Sequence, residues 1–137
     1  MKRLILLALA ALMTIGALAC ATDRSTSPVE GTVQIPNGFG YGSDDDGIMV
    51  QFLEVSDDSR CAAGVQCVRA GEAFVKLSIS VDGGTAQESV IEMVPQGQAT
   101  VTAGRFTFTL LELQPDPPPV GGVAQNLYTL KLRIEEK

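Results

Sequence analysis

The residues of this chain with the most chemistry to offer are its three cysteines. Cys61 and Cys67 stand six positions apart in the segment DDSRCAAGVQCVRAGEA, and Cys20 lies near the start of the chain. Two close thiols can form a disulfide, run a redox cycle or bind a metal. Zinc needs about four ligands, and the chain has no histidine. Redox centres prefer the tighter Cys-x-x-Cys spacing. We therefore expect a structural disulfide between Cys61 and Cys67, with redox and metal roles as the alternatives.

Catalytic arrangements find little support in the residue types. The absence of histidine removes the common Ser-His and Cys-His nucleophile pairs. Carboxylates are abundant, but nothing in the sequence places two of them across one cleft. A Ser-Lys arrangement would have to use Lys76, Lys131 or Lys137, and the first two fall on outward positions of expected strands. We expect a protein that is not an enzyme and that needs no cofactor.

A glycine-rich stretch, GFGYGSDDDG at 38–47, ends in three consecutive acids. It fits none of the phosphate-binding spacings and lacks the alternating acids of an EF-hand loop. Asp44 and Asp46, together with Asp57 or Asp58, remain weak candidates for calcium. A solvated loop is the simpler interpretation.

The first residues are typical of an export signal. Lys2 and Arg3 precede an apolar run, 4–18, that is shorter than the roughly 20 residues of a membrane span. The string ALAC resembles a bacterial lipobox, in which the cysteine becomes the lipidated first residue of the mature chain. We expect lipidation of Cys20, since a diacylated or triacylated cysteine anchors stably. The alternative is cleavage after Ala19 and a soluble secreted protein.

Removing residues 1–19 leaves 8 basic against 16 acidic residues, a net charge near −8. This charge disfavours nucleic acid as a partner. A mature chain of about 118 residues makes one ordinary domain. The expected organisation is a signal peptide at 1–19, a lipidated cysteine with a flexible tether at 20–31, and a single β domain at 32–137.

Apolar residues beyond the tether recur with a period of two, as in strands with one buried face. The clearest runs are 73–81, followed by the turn Asp82-Gly83-Gly84, and 105–113, preceded by the turn Ala103-Gly104. Each is expected to form a hairpin, the first with 85–94 and the second with 100–102. Further strands are expected at 32–35, 48–55 and 127–134. The pattern predicts an all-β fold, either an antiparallel sandwich with Greek-key-like connections or a small barrel.

The cysteine loop carries a resemblance. It is similar to a loop with the pattern D-S-R-C-P-x-x-V-x-C-x-W-x-G, found in small exported bacterial lipoproteins; the matching residues are Asp58, Ser59, Arg60, Cys61, Val65, Cys67 and Gly71. The resemblance spans about residues 45–135 and implies no particular activity. Ala62 stands where the pattern has Pro, and Arg69 stands where it has Trp.

The charged residues around the cysteines suggest two interpretations. Asp58, Arg60 and Arg69 either order the loop through local ion pairs and turn bonds or form a partner-binding loop. The leading function is a non-catalytic, lipid-anchored module on the extracytoplasmic or periplasmic face of a bacterial membrane. Its loops, 56–72 and 114–126, would bind an envelope protein or another envelope component. The alternatives are an inhibitor of an exported hydrolase and a calcium-dependent accessory domain.

Overall fold

A computed structural model describes residues 31–69, 71–94 and 99–137 of the chain. The expected signal peptide, the lipidation site at Cys20 and nearly all of the tether lie outside the described residues. The elements in chain order are β1 (Gly31–Pro36), β2 (Gly40–Ser43), β3 (Ile48–Asp58), β4 (Ala73–Val81), β5 (Gln87–Met93), β6 (Ala99–Ala103), β7 (Phe106–Gln114), a short 3-10 turn (Gln125–Leu127) and β8 (Thr129–Glu136).

The strands form two four-stranded antiparallel sheets that pack face to face. One sheet has the order β1-β8-β7-β6 and the other has the order β2-β3-β4-β5. The predicted β-sandwich is therefore confirmed, and the chain does not close into a barrel. Strands β2 to β5 and β6 to β8 are neighbours in chain order, whereas β1 pairs with β8, so the first and last strands of the domain lie side by side.

The core lies between the sheets and is built by the alternating strands. β4 buries Ala73, Val75, Leu77 and Ile79 and turns the residues between them outward. Both expected hairpins are confirmed, because β4 pairs with β5 and β6 pairs with β7. Irregularities in strand pairing shift the alternation of β3 after Phe52 and again after Val55, and that of β7 after Leu110.

One strand was not predicted. β2 occupies part of the glycine-rich stretch and pairs with the first half of β3. A Cβ on Gly40 would lie 2.9 Å from the carbonyl oxygen of Val50, so the backbone approaches too closely for any side chain. Tyr41 packs against the core, whereas Phe39 just before the strand is exposed.

The sandwich has two ends, which we call the turn pole and the loop pole. The turn pole contains the short turns 44–47, 82–86 and 104–105, the first residue of β1 and the end of β8. Arg105 joins the sheets at this pole, because its guanidinium contacts Asp82 of one sheet at 2.6 Å and Glu136 of the other at 2.7 Å. The loop pole contains the long connections 59–72 and 115–128. No helix in the described residues has the length and apolarity that crossing a membrane requires.

Candidate functional site

The cysteine loop, residues 59–72, connects β3 to β4 at the loop pole. Cys61 and Cys67 form a disulfide, with 2.12 Å between the two sulfur atoms. Within the ring that the bond closes, the amide of Val65 donates to the carbonyl of Ala62 at 3.2 Å. Gly64 has a φ of 72°, a left-handed conformation that glycine adopts without a Cβ clash. The ring is thus a short, closed turn.

The base of the loop is fastened by Ser59 and Glu72. The amide of Ser59 donates to the carbonyl of Glu72 at 2.8 Å, and the Ser59 hydroxyl accepts from the Glu72 amide at 3.0 Å. The same hydroxyl donates to the Glu72 carbonyl at 3.1 Å. A Cβ at position 71 would lie 1.7 Å from the Ser59 carbonyl oxygen, so only Gly71 fits beside this closure.

Arg60 lies inside the loop pole. Its Nε and Nη2 each donate to one oxygen of Asp58 at 2.8 Å, a bidentate pair in which both side chains are 9% exposed. The remaining donors reach the end of β7 and the loop after it. Nη1 donates to the carbonyl of Leu113 at 2.6 Å, and Nη2 also donates to the carbonyl of Pro115 at 3.1 Å. One guanidinium therefore ties the cysteine loop to the opposite sheet.

Tyr128, the residue before β8, completes this cluster. Its hydroxyl donates to Oδ2 of Asp58 at 2.9 Å. Burial alone would raise the pKa of Asp58, but hydrogen bonds from Arg60 and Tyr128 outweigh it and hold that pKa below its usual value. Burial and the hydrogen bond to the Asp58 carboxylate raise the pKa of Tyr128 to about 12. Asp58 is therefore an anion at neutral pH, and its carboxylate is bound by Arg60 and Tyr128 within the domain.

The second loop, residues 115–128, which we call the proline loop, is fastened to the first and to β3. The Ala63 amide donates to the Pro118 carbonyl at 2.9 Å, and Pro118 is buried. The Gln125 side chain donates to the carbonyl of Val55 at 2.7 Å and accepts from its amide at 3.0 Å. Gln125 thus satisfies backbone groups of β3 beyond the stretch that β2 covers. Nothing local in the sequence signals this contact.

The two loops expose four aliphatic side chains. Val68 is fully exposed at the far side of the disulfide, and more than half of Val120 and Leu127 is exposed. Val65 is 48% exposed within the disulfide ring. Ala63 and Pro118 are joined by a hydrogen bond. Val65 follows Ala63 by two residues, and Val120 follows Pro118 by two residues. We call the exposed side chains Val65, Val68, Val120 and Leu127 the loop surface.

The three charged residues predicted for a partner-binding loop have different positions. Asp58 and Arg60 face into the domain, where they can position the loop but offer little surface to a partner. Arg69 is exposed, and within the described residues it has no ion-pair partner. Of the three, Arg69 alone is placed to contact another molecule directly.

The acids considered for calcium lie at the opposite end of the sandwich. Asp44 and Asp46 are part of the turn between β2 and β3. The Asp46 carboxylate accepts a hydrogen bond from Ser43, and its carbonyl accepts one from Arg105 at 3.0 Å. The turn does not approach Asp58, which lies at the loop pole. Across the described ranges, no cluster of three or more acidic, histidine or cysteine residues is arranged to hold a metal ion.

Comparison with known proteins adds no relative. No protein-family model matches the chain, and neither a curated protein nor a solved structure is significantly similar to it. The function must therefore be argued from the geometry of the loops.

Proposed function

We propose that this protein is a non-catalytic binding module, anchored to a bacterial membrane through lipidated Cys20, that recognises an envelope protein with its loop surface. One observation carries the proposal. The cysteine loop and the proline loop, which come from different sheets, are joined into one fixed structure that exposes Val65, Val68 and Val120. Exposed apolar side chains mark a contact surface where they gather into one patch, and the Ala63–Pro118 hydrogen bond brings the two loops together.

The rigidity of the frame favours binding. A loop that must become ordered on binding loses conformational entropy, which subtracts from the affinity. Here the disulfide, the Ser59–Glu72 closure and the Arg60 hydrogen bonds order the cysteine loop before any partner arrives. Valine is β-branched and stiff about χ1, so Val65 and Val68 also have little side-chain freedom to lose.

The chemistry of the loop surface favours a protein partner. Its four members are aliphatic and have no polar group with which to read a sugar or a nucleotide. Burying them against another apolar surface gains about 25 cal/mol for each square ångström removed from water. Arg69, exposed beside Val68, adds a cation that fits a carboxylate at the rim of such a contact.

Inhibition of an exported hydrolase is a second candidate, favoured by one feature. Val68 projects fully into solvent from a disulfide-closed turn. A rigid, projecting side chain of this kind suits insertion into an enzyme cleft. The two candidates share the loop surface and differ in whether the bound partner loses an activity.

The test is affinity capture from detergent-solubilised envelopes with cross-linking. Val68→Asp and Val120→Asp place a charge on the loop surface, and Val90→Asp is the matched control, because Val90 is exposed on β5 outside the loops. We expect the wild type and Val90→Asp to recover the same protein, and the two loop variants to recover at least about tenfold less. Equal recovery by all four proteins would refute the proposal. Loss of hydrolase activity in the recovered protein would select the inhibitor.

A further inference from the structure

The end of the cysteine loop, residues 66–69, depends on the disulfide for its position. Every residue from 63 to 69 is exposed, and Val68 is fully so. Gln66, Val68 and Arg69 make no hydrogen bond or ion pair to any residue that the structure describes. Cys67, through its bond to Cys61, is therefore the only attachment between this segment and the described part of the domain, apart from the chain itself.

The rest of the cysteine loop keeps its attachments without the disulfide. Ser59 closes the base of the loop on Glu72, and Arg60 binds groups of the opposite sheet. The Ala63 amide donates to the Pro118 carbonyl at 2.9 Å. A disulfide that closes so small a ring removes little entropy from the unfolded chain, so its contribution to stability is at the low end for disulfides. Breaking it should free the segment and leave the sandwich folded.

The two sulfur atoms differ in their surroundings. Cys67 is exposed, whereas Cys61 is half-buried and its Sγ lies 3.2 Å from the carbonyl oxygen of Val65. A sulfur in a disulfide has no proton, but a thiol at this place can donate to that carbonyl, which favours the protonated form. Access therefore directs an attacking thiolate to Cys67. The released Cys61, held as a thiol, is a poor nucleophile for the reverse attack.

Building on the proposed function, we propose that the Cys61–Cys67 disulfide is a redox site that a dithiol opens in the folded protein, releasing Val68 and Arg69. One thiolate of the dithiol attacks Sγ of Cys67, the Cys61–Cys67 bond breaks, and Cys61 leaves as a thiolate that takes up a proton. The second thiol of the reductant, as a thiolate, then attacks the reductant sulfur of the mixed disulfide and releases Cys67. The protein gains two electrons and two protons, and the dithiol becomes a disulfide.

Limited trypsin digestion tests the release, because the protease cleaves after an arginine only where the backbone can open locally. A chain carrying Cys20→Ser is compared before and after reduction by dithiothreitol. We expect reduction to speed cleavage after Arg69 at least about tenfold and to leave cleavage after Arg60, which is buried in its ion pair with Asp58, unchanged. Faster cleavage at both sites would mean that the domain unfolds, and no change at Arg69 would mean that other contacts hold the segment. Either result would overturn the proposal.

The direction of attack has a matched pair of variants. In the same Cys20→Ser chain, Cys61→Ser leaves only the Cys67 thiol, and Cys67→Ser leaves only the Cys61 thiol. Each is reacted with dithionitrobenzoate, a small disulfide. We expect Cys67 to react at least about tenfold faster than Cys61, because it is more exposed and has no carbonyl beside it that is known to hold its proton. Equal rates, or a faster Cys61, would overturn attack at Cys67.

Neither assay uses a binding partner, so their failure would overturn the redox site and leave the proposed binding role intact. Capture from solubilised envelopes connects the two. We expect the reduced chain to recover at least about threefold less envelope protein than the oxidised chain, since the freed segment must become ordered again on binding. Equal recovery would overturn redox control of the loop surface. A Val68→Asp form that recovers as much protein as the wild type would instead overturn the binding role and leave the redox site standing.

Discussion

Replacing Arg60 by methionine tests whether one guanidinium holds the loop pole together. The change keeps most of the apolar stem and removes every charged donor. It leaves the Asp58 carboxylate without the two hydrogen bonds from the guanidinium, although the amide of residue 60 still donates to it, and it leaves the carbonyls of Leu113 and Pro115 without this donor. Removing one partner of a buried ion pair costs about 3–5 kcal/mol. Because Tyr128 still donates to Asp58 and water can reach the rim of the site, we expect about 3 kcal/mol.

The measurement is urea unfolding of the oxidised, unlipidated domain at neutral pH. A double-mutant cycle adds Asp58→Asn and the combined variant, and the double change should cost clearly less than the sum, by about 2 kcal/mol. Arg105→Met is the matched control at the turn pole. Arg105 forms ion pairs with Asp82 and Glu136, but its side chain is 40% exposed, so its loss should move the urea midpoint far less.

Two results would refute this reasoning. The first is an Arg60→Met midpoint no lower than that of Arg105→Met, which would mean that the buried network adds nothing to stability. The second is a double-mutant cycle with no coupling, which would mean that Asp58 and Arg60 act independently in spite of their bidentate geometry.

The remaining predictions concern three other features that hold the loop pole together: the close approach at Gly71, the Tyr128 hydrogen bond and the disulfide. Gly71→Ala should lower the free energy of unfolding by about 2–4 kcal/mol because its Cβ meets backbone, whereas Gly31→Ala, with open space around it, should change the urea midpoint little. Tyr128 has a folded-state pKa of about 12, so its contribution is complete below its unfolded pKa of about 10 and is lost as pH rises from there toward 12. Tyr128→Phe should abolish that alkaline loss in a pH series of thermal melts, and an unchanged series would contradict it. Cys61→Ser/Cys67→Ser should lower the free energy of unfolding by about 2 kcal/mol. If this variant recovers more of the captured protein than Val68→Asp does, the hydrogen bonds alone are enough to preserve the loop.

The same acid-base reasoning gives Asp58 the opposite pH range. Its pKa is lowered in the folded state, so its stabilising effect is complete above the unfolded value of about 4 and is lost as pH falls below it. The free energy of unfolding of the wild type should therefore exceed that of Asp58→Asn at neutral pH, and the two values should converge at low pH. This comparison is made with the same urea series as the double-mutant cycle.

Most of the fold could be predicted because its information is local. The alternation of buried and exposed residues in β4 can be recognised from neighbouring residues alone. The turns at Asp82 and Gly104, where φ is positive, predict the two hairpins. β2 gives no such signal, since two of its four residues are glycines: Gly40 lies close to the backbone of β3, and Gly42 lies close to the Met49 side chain. Glycine has no side chain, so a strand in which half of the residues are glycine shows no alternation of apolar and polar side chains.

The interior of the site was beyond local reasoning for a different reason. Arg60, an arginine beside a cysteine in a polar loop, has the sequence context of an exposed residue. It is buried beside the carbonyl of Leu113, 53 residues away, to which its guanidinium donates a hydrogen bond. Gln125 reaches the backbone of Val55 across 70 residues. Both contacts join a side chain to a distant backbone group, and every residue type offers the same backbone group, so the sequence carries no matching signal.

The contacts of the cysteine loop show what its charged, serine and glycine residues do in this chain. Asp58 and Arg60 are paired inside the domain, Ser59 closes the base of the loop on Glu72, and Gly71 leaves room for that closure. In this chain, these four residues therefore determine how the loop is closed and where it is attached. Selectivity must then come from positions that the frame leaves free. Val68 and Arg69 are adjacent and exposed, so in the proposed binding role these two residues would set the selectivity of the loop.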